Sequence, residues 1–394
     1  MSLAVISTHP VQYHAPVYRY LQLHLQIPVT AIYGSDFSIA GYYDQEFRST
    51  FAWDSDLVSG YSTIFLSRVS QGGANSYETV SARGSYSQLN RIKPKVVLLV
   101  GYSTKFHRSA FWSAYRYQQP LMMRAETTDH ARQRSGIKQT IRDTTLKLLY
   151  KQFFKLLYIG NNSLKHYQRL ECSESKLIFS PYCVDTSLFE LKLENQSRLH
   201  LETRKQFEIP SDKIVLLFSG KLVFRKGADL LLTAYEQCEQ ALRENIVIVF
   251  MGDGEMRAEL EEKSSRYDEI RFIGFQNQSQ ISSIYHMADL LVVPSRTNET
   301  WGLVVNEALH HGLPCIVSDQ VGCAPDLVEA GVTGEIFTSD SVVSLIAAIE
   351  RALLLLRDSH TPDKCRQIVD NYTVEKAAKG IALAYQQILS FPQS

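Results

Sequence analysis

Two carboxylates, Glu299 and Glu307, stand in the segment Pro294-Ser-Arg-Thr-Asn-Glu-Thr-Trp-Gly-Leu-Val-Val-Asn-Glu, which reads as a strand end, a loop and a helix opened by Gly302. An ionised Glu offers only acceptors, so this pair suits the hydroxyl groups of a ligand. The first N–H groups of the helix lack intrahelical partners and, aided by the helix dipole, favour a phosphate. By themselves the two side chains read more readily as a loop charge and a solvent-facing helix residue.

A second segment, Phe218-Ser-Gly-Lys-Leu-Val-Phe-Arg-Lys-Gly, ends a strand at Gly220 and places Lys221, Arg225 and Lys226 in one loop. Three cations beyond the carboxyl end of a parallel strand suit a diphosphate, because open α/β sheets bind ligands in the crevice there. The same residues also make an ordinary solvated basic turn. Met251-Gly-Asp-Gly-Glu likewise joins a strand to a helix, and its glycines, Gly252 and Gly254, let backbone approach a ligand. A dinucleotide fingerprint would continue to a third glycine, but Arg257 stands there, which argues against a dehydrogenase.

The elements that must position these loops alternate along the chain. Strands are expected at Leu3–Ser7, Val29–Tyr33, Val96–Gly101, Leu121–Arg124 and Leu156–Ile159, then at Ile214–Ser219, Ile246–Met251, Arg271–Ile273, Leu290–Pro294 and Cys315–Ser318, with helical segments between them. That rhythm is the βαβα pattern of parallel sheets covered by helices. A chain of 394 residues is long enough for two domains. The strand rhythm pauses in the polar stretch after Asp185, so the expected division is 1–184 and 185–372, with a last helix in 373–394 packing back on the first domain. Lys plus Arg (41) balances Asp plus Glu (41), so no global field attracts nucleic acid, and no nucleic-acid partner is expected. The six cysteines form no CxxC pair and sit in apolar or helical surroundings, as reduced thiols do. Neither a basic leader nor a long apolar run is evident, so a cytoplasmic protein is expected.

In order and spacing, Gly220-Lys221 with Lys226-Gly227, Gly252-Asp253-Gly254, and Glu299-x7-Glu307 with Gly312-Leu313-Pro314 and Val321-Gly322 resemble the donor domain of retaining glycosyltransferase family 4, the group 1 glycosyltransferases. The resemblance is close over about Ile214 to Phe337, and Ile178 to Phe189 resembles the family's interdomain segment. It implies a GT-B fold, two Rossmann-like domains facing across a cleft, with a UDP or GDP sugar as donor and retention at the anomeric carbon. It also implies catalytic roles for Lys221, Lys226 and Glu299, the lysines on the diphosphate and Glu299 on the transferred sugar. Donor binding would use Gly220, Arg225, Gly252, Gly254 and Phe275, the Gly302, Leu303 and Val304 backbone on a phosphate, and Glu307 on the ribose. No metal or other cofactor is implied. Three positions depart from the family's usual residues: Lys221, where Arg is common, Trp301, where Phe is common, and Cys323, where a second Gly is common. A lysine is a point charge without the bidentate fork of arginine.

In the first half, Thr8-His-Pro-Val-Gln-Tyr-His14 occupies the first strand-to-helix loop, where many family members carry paired glycines. Trp53-Asp-Ser-Asp-Leu with Gly60-Tyr61 resembles a bacterial subgroup, which implies cell-surface glycan or glycolipid synthesis. Asp54-x-Asp56 also reads as a metal-binding pair, a reading set aside because lysines already neutralise the phosphates. His9, Glu126, Asp129 and His130 follow strands whose ends face the expected cleft and are candidates for acceptor contact, although each taken singly reads more readily as a satisfied structural polar group. The run 130–157 is rich in Arg and Lys with apolar residues near helical spacing, so it reads either as a core-packed helix with a solvated face or as a peripheral membrane contact at the inner face. A glycan or lipid-linked acceptor would suit the second reading. The rival functions are a nucleotide-sugar epimerase or hydrolase of the same fold, and a non-catalytic sugar-nucleotide sensor or scaffold.

Overall fold

The computed structural model of the chain describes residues 2–44, 46, 49–129 and 136–390. The strands are β1 (Leu3–Ser7), β2 (Val29–Tyr33), β3 (Tyr42–Asp44), β4 (Ser49–Phe51), β5 (Ser62–Phe65), β6 (Val96–Val100), β7 (Leu121–Arg124), β8 (Lys155–Tyr158) and β9 (Leu177–Phe179), followed by β10 (Ile214–Ser219), β11 (Ile246–Met251), β12 (Ile270–Gly274), β13 (Leu290–Val293), β14 (Cys315–Ser318) and β15 (Gly334–Phe337). They form a seven-stranded sheet in the order β5-β2-β1-β6-β7-β8-β9 and a six-stranded sheet in the order β12-β11-β10-β13-β14-β15. Both sheets are parallel throughout. The only antiparallel pair among the described residues is the short hairpin β3-β4.

The central strands LAVIS, VVLLV and IVIVFM are buried along their whole length, because helices cover both faces of each sheet. In each sheet the chain leaves its first strand, β1 or β10, towards one edge and later returns on the other side. The carboxyl ends on either side of that reversal leave a crevice. The crevices of the two sheets face one another and form one cleft.

Two expected strands end one residue early. Gly101 turns at φ 97°, and Pro294 has no N–H to give to a ladder. The strand expected at Leu156–Ile159 is shifted by one residue. Strands β5, β9 and β15 are additions to the expected set; each is an edge strand of three or four residues and lacks a long apolar run.

Between the sheets, the buried Arg124 donates to the carbonyls of Ser180 at 3.2 Å and Pro181 at 2.5 Å and lies over the Tyr182 ring. These bonds pin the crossover segment. Beyond it, Val184 and Phe189 pack in the core that lies against β10, β11 and β13. The last helix, Val374–Ser390, returns to the first domain and buries Ala377, Ile381 and Ile388 in one cluster with Leu3, Val17 and Val96. Contact is so close that a Cβ on Gly380 would lie 2.0 Å from the Phe179 carbonyl oxygen.

The basic run 130–157 is not one helix. A helix covers Ile137–Lys151 and β8 begins at Lys155, while His130, Arg132 and Arg134 lie outside the described residues. No helix of the described residues is long and apolar enough to cross a membrane. All six cysteines are free thiols; Cys172 is half-buried and the rest are buried.

Candidate active site

The cleft has a volume of about 890 Å³ and opens at one side into a smaller pocket of about 190 Å³. After β10 the chain turns through Gly220 and a short 3-10 turn, Phe224–Lys226, before the helix Ala228–Gln237. Gly227 is held at φ 73°, and a Cβ there would lie 2.1 Å from the Pro294 carbonyl oxygen. The turn therefore packs directly onto the loop after β13, which carries Glu299. That contact brings Lys226 Nζ onto Glu299 Oε2, which also accepts from Ser295 Oγ at 2.9 Å. Lys226 and Glu299 both line the cleft.

Lys221 lines the cleft too, but its ammonium is met by two carboxylates from the first domain, Asp44 at 3.0 Å and Glu46 at 2.8 Å. Arg225 reaches the same Glu46 at 2.9 Å and does not line either pocket. Burial favours the protonated Glu46 carboxyl, but hydrogen bonds from Lys221 and Arg225 outweigh it and hold the group down to about 2. An ionised acid from the hairpin region thus rests on the cations that the sequence offers to a diphosphate.

Gly252 and Gly254 owe their identity to backbone packing. A Cβ on Gly252 would lie 1.8 Å from the Gly220 carbonyl oxygen, and one on Gly254 would lie 2.5 Å from that of Leu222. Gly252 also borders the smaller pocket, whereas Gly254 borders neither. Across that pocket Trp53 of the first domain meets Phe275 edge to face, with centroids 6.5 Å apart.

The helix Leu303–His310 begins after Gly302, which adopts φ 97°. Leu303 and Val304, its first residues, line both pockets, so the amino end of the helix borders the space between them. Glu307 lines the smaller pocket and accepts a hydrogen bond of 2.6 Å from the Tyr285 hydroxyl. Burial pushes its carboxyl up to about 7, a rise that this hydrogen bond moderates. Trp301, the departure from the family pattern, is buried between Gly160, Tyr182 and Tyr372, and its Nε1 donates to Asn306 Oδ1 at 2.8 Å.

The opposite wall comes from the first domain. His9 lines the cleft, bonds Thr8 Oγ1 at 2.9 Å, and is pushed down to about 4 by burial. Glu126 spans the cleft, accepting from Tyr182 at 2.8 Å and from Thr300 of the second domain at 2.5 Å. Asp129 is a different case. It turns away from the cleft into a polar cluster with Arg169 at 2.7 Å and His166 at 3.0 Å. Burial opposes its ionisation, yet hydrogen bonds with His166 and Arg169 hold its carboxyl well below the usual range. Together with Arg142 at 3.3 Å, these partners outcompete an open cleft. His130 lies outside the described residues.

Asp54 and Asp56 diverge. Asp54 accepts from the Ser279 hydroxyl of the second domain at 2.5 Å, while Asp56 caps its own turn through the N–H groups of Val58 and Ser59. Sequence reasoning missed Asp44 and Glu46, whose only signal was their place in a polar stretch. It also passed over His14, which lines the cleft with neither ring nitrogen hydrogen-bonded to the described residues. Burial holds that imidazole neutral. Its place in the first strand-to-helix loop was the available clue.

With this geometry the comparisons with known proteins agree. Residues 200–373 match the sequence model of the family described as glycosyl transferases group 1. The chain is 31% identical over 230 residues to the lipopolysaccharide 1,2-N-acetylglucosaminetransferase of Salmonella typhimurium, covering 54% of this chain and 56% of that protein. It is 29% identical over 239 residues to glycogen synthase 2 of Nitrosococcus oceani, covering 57% and 47%. The chain thus spans about half the length of the curated relatives it matches. Over the whole chain, the sucrose-phosphate synthase of Thermosynechococcus elongatus superposes with a TM-score of 0.70 at 18% identity, covering 99% of both chains. Anabaena HepE in complex with UDP-glucose does so with 0.70 at 15%, covering 98% and 100%. The chain has the GT-B fold, and its carboxyl-terminal half is similar in sequence to the group 1 glycosyl transferases.

Proposed function

We propose that this protein is a retaining glycosyltransferase that moves a sugar from a nucleoside diphosphate sugar to an acceptor hydroxyl. The observation that carries the reading is the convergence of Lys226, Glu299 and the start of the Leu303–His310 helix beside the smaller pocket lined by Glu307. A nucleoside fits the small pocket with its ribose on Glu307, its diphosphate between the lysines and the helix amides, and the sugar over Glu299. Uridine is the nucleoside to test first, since HepE, of the same fold, was crystallised with UDP-glucose.

Catalysis then rests on fixed positive groups that meet charge as it develops on the departing diphosphate, usually the largest single contribution. Lysines and amides perform that task without a divalent metal. In the step we infer, the acceptor oxygen attacks the anomeric carbon on the face the diphosphate leaves. The carbon–phosphate oxygen bond breaks as the acceptor bond forms, and a phosphate oxygen takes the acceptor proton. The acceptor, a glycan or a lipid-linked sugar of a bacterial cell-surface pathway, would lie against the first domain near His9 and Glu126, and the protein would work in the cytoplasm.

The test is incubation with UDP and GDP sugars, with and without acceptor extracts, followed by mass and NMR analysis of the product. A glycoside with the anomeric configuration of the donor is expected. An inverted product would refute the same-face step. Hydrolysis or epimerisation unaffected by acceptor would refute transfer.

A further inference from the structure

The first domain holds a second cavity, of about 830 Å³, between the helices Lys105–Tyr117 and Ile137–Lys151. That volume is in the range of sites that take small molecules. Its walls are apolar, built from Leu99, Phe111, Trp112, Leu146, Leu149 and Phe153. Its charged lining is of one sign: Arg108, Lys138 and Arg142, with no carboxylate among the described lining residues. Arg142 is tied to Asp129 at 3.3 Å, whereas Arg108 and Lys138 form no ion pair among the described residues.

Two further observations indicate what would enter. Gly101, Tyr102, Ser103, His107 and Arg142 line this cavity and the main cleft alike, so the two spaces are adjacent. The same pair of helices also exposes large apolar side chains: Trp112 is 64% exposed, Ile137 79% and Ile141 62%. Of these, Trp112 also lines the cavity, and apolar surface beside an apolar cavity marks an interaction site rather than scattered exposure. A wholly apolar ligand would leave the cations unused, and a free sugar or phosphate would leave the apolar walls unused.

We propose that this cavity binds a single anionic amphiphile, with its isoprenoid or acyl tail between the two helices, its phosphate on Arg108 and Lys138, and its polar end reaching the cleft along Gly101–Ser103. Naming that amphiphile as the sugar acceptor rests on the transferase reading; the binding site itself does not. The basic character of this region then serves one lipid phosphate and not a bilayer surface.

The experiment uses the full chain and farnesyl phosphate below its micellar concentration, followed by calorimetry and tryptophan emission, with farnesol and inorganic phosphate as comparisons. Saturable binding of farnesyl phosphate is expected, at least about tenfold tighter than either comparison, since a charge-assisted contact is worth about one such factor. Trp112→Ala should abolish the emission change, and Arg108→Ala with Lys138→Ala should weaken binding by about tenfold or more. All three residues lie away from the proposed donor site, so nucleoside diphosphate binding should persist in these variants. Absence of saturable binding, indifference to the variants, or binding only to anionic vesicles would overturn the proposal. Farnesyl phosphate binding without nucleoside diphosphate binding would leave this site standing and refute the transferase reading; the reverse result would do the opposite.

Discussion

Glu307 carries the prediction that the structure supports in most detail. Burial raises its carboxyl from 4.5 to about 7, so between those values the folded protein holds a proton that the unfolded chain releases. Wherever the folded state binds more protons, stability falls as pH rises. The folded protein therefore loses stability progressively from about pH 4.5 to about 7 and carries the full cost above that. At 1.36 kcal/mol per unit the cost is of order 3 kcal/mol. Glu307→Gln removes the ionisation while keeping an oxygen for the Tyr285 hydroxyl, so the unliganded variant should be more stable than the parent at pH 8 by up to about 3 kcal/mol. For a domain of this size each kcal/mol moves Tm by about 2–4 °C. Calorimetric melting of both proteins at pH 5, 6, 7 and 8 should show a gap that opens with pH and levels off above 7. The same ionisation bears on binding, because ribose hydroxyls donate best to a carboxylate. Uridine, which lacks a phosphate titrating near pH 6, should bind the parent more tightly as pH rises through 7, and Glu307→Gln should lose that step. A gap that stayed constant from pH 5 to 8 would refute the burial argument. Undiminished uridine binding by the variant at pH 8 would remove Glu307 from the nucleoside pocket.

Lys226→Ala should lower turnover by about 10² or more, because the charge it meets grows as the bond to the diphosphate breaks; steady-state kinetics showing parental turnover would exclude the role. Asp44→Asn combined with Glu46→Gln removes the carboxylates that rest on Lys221 and Arg225, so nucleoside diphosphate should bind about tenfold more tightly, as titration calorimetry would register. Weaker binding would instead make those acids part of the donor site. Nucleoside diphosphate at 100 times its Kd should stabilise the protein by about 2.7 kcal/mol in the presence of chelator as well as without it. Loss of that stabilisation in chelator would show that a metal is needed.

Much of the fold was legible because central parallel strands are buried on both faces and therefore spell continuous apolar runs, as β1, β6, β10 and β11 do. Edge strands such as β5 and β9 have one neighbour and half-exposed residues, so their composition does not separate them from loops. The loops of the candidate site were legible for a related reason. Glycine, lysine and glutamate stand at short fixed distances from strand ends, and a strand end in such a sheet already points at the crevice.

What the sequence by itself determined is the layout of each half: which segments are strands, which loops follow them, and which residues those loops offer. Tertiary structure alone decided which of those residues meet. Glu46 faces Lys221 from 175 positions away in the chain and Glu126 meets Thr300 from 174, and no local pattern encodes such pairings. It also drew Asp129 out of the cleft, because Arg169 and His166 come to its loop from the helix Asn161–Arg169. Backbone propensity and apolar periodicity act over a few residues. Charge pairing and pocket shape depend on how two finished domains dock, and only the folded chain contains that information.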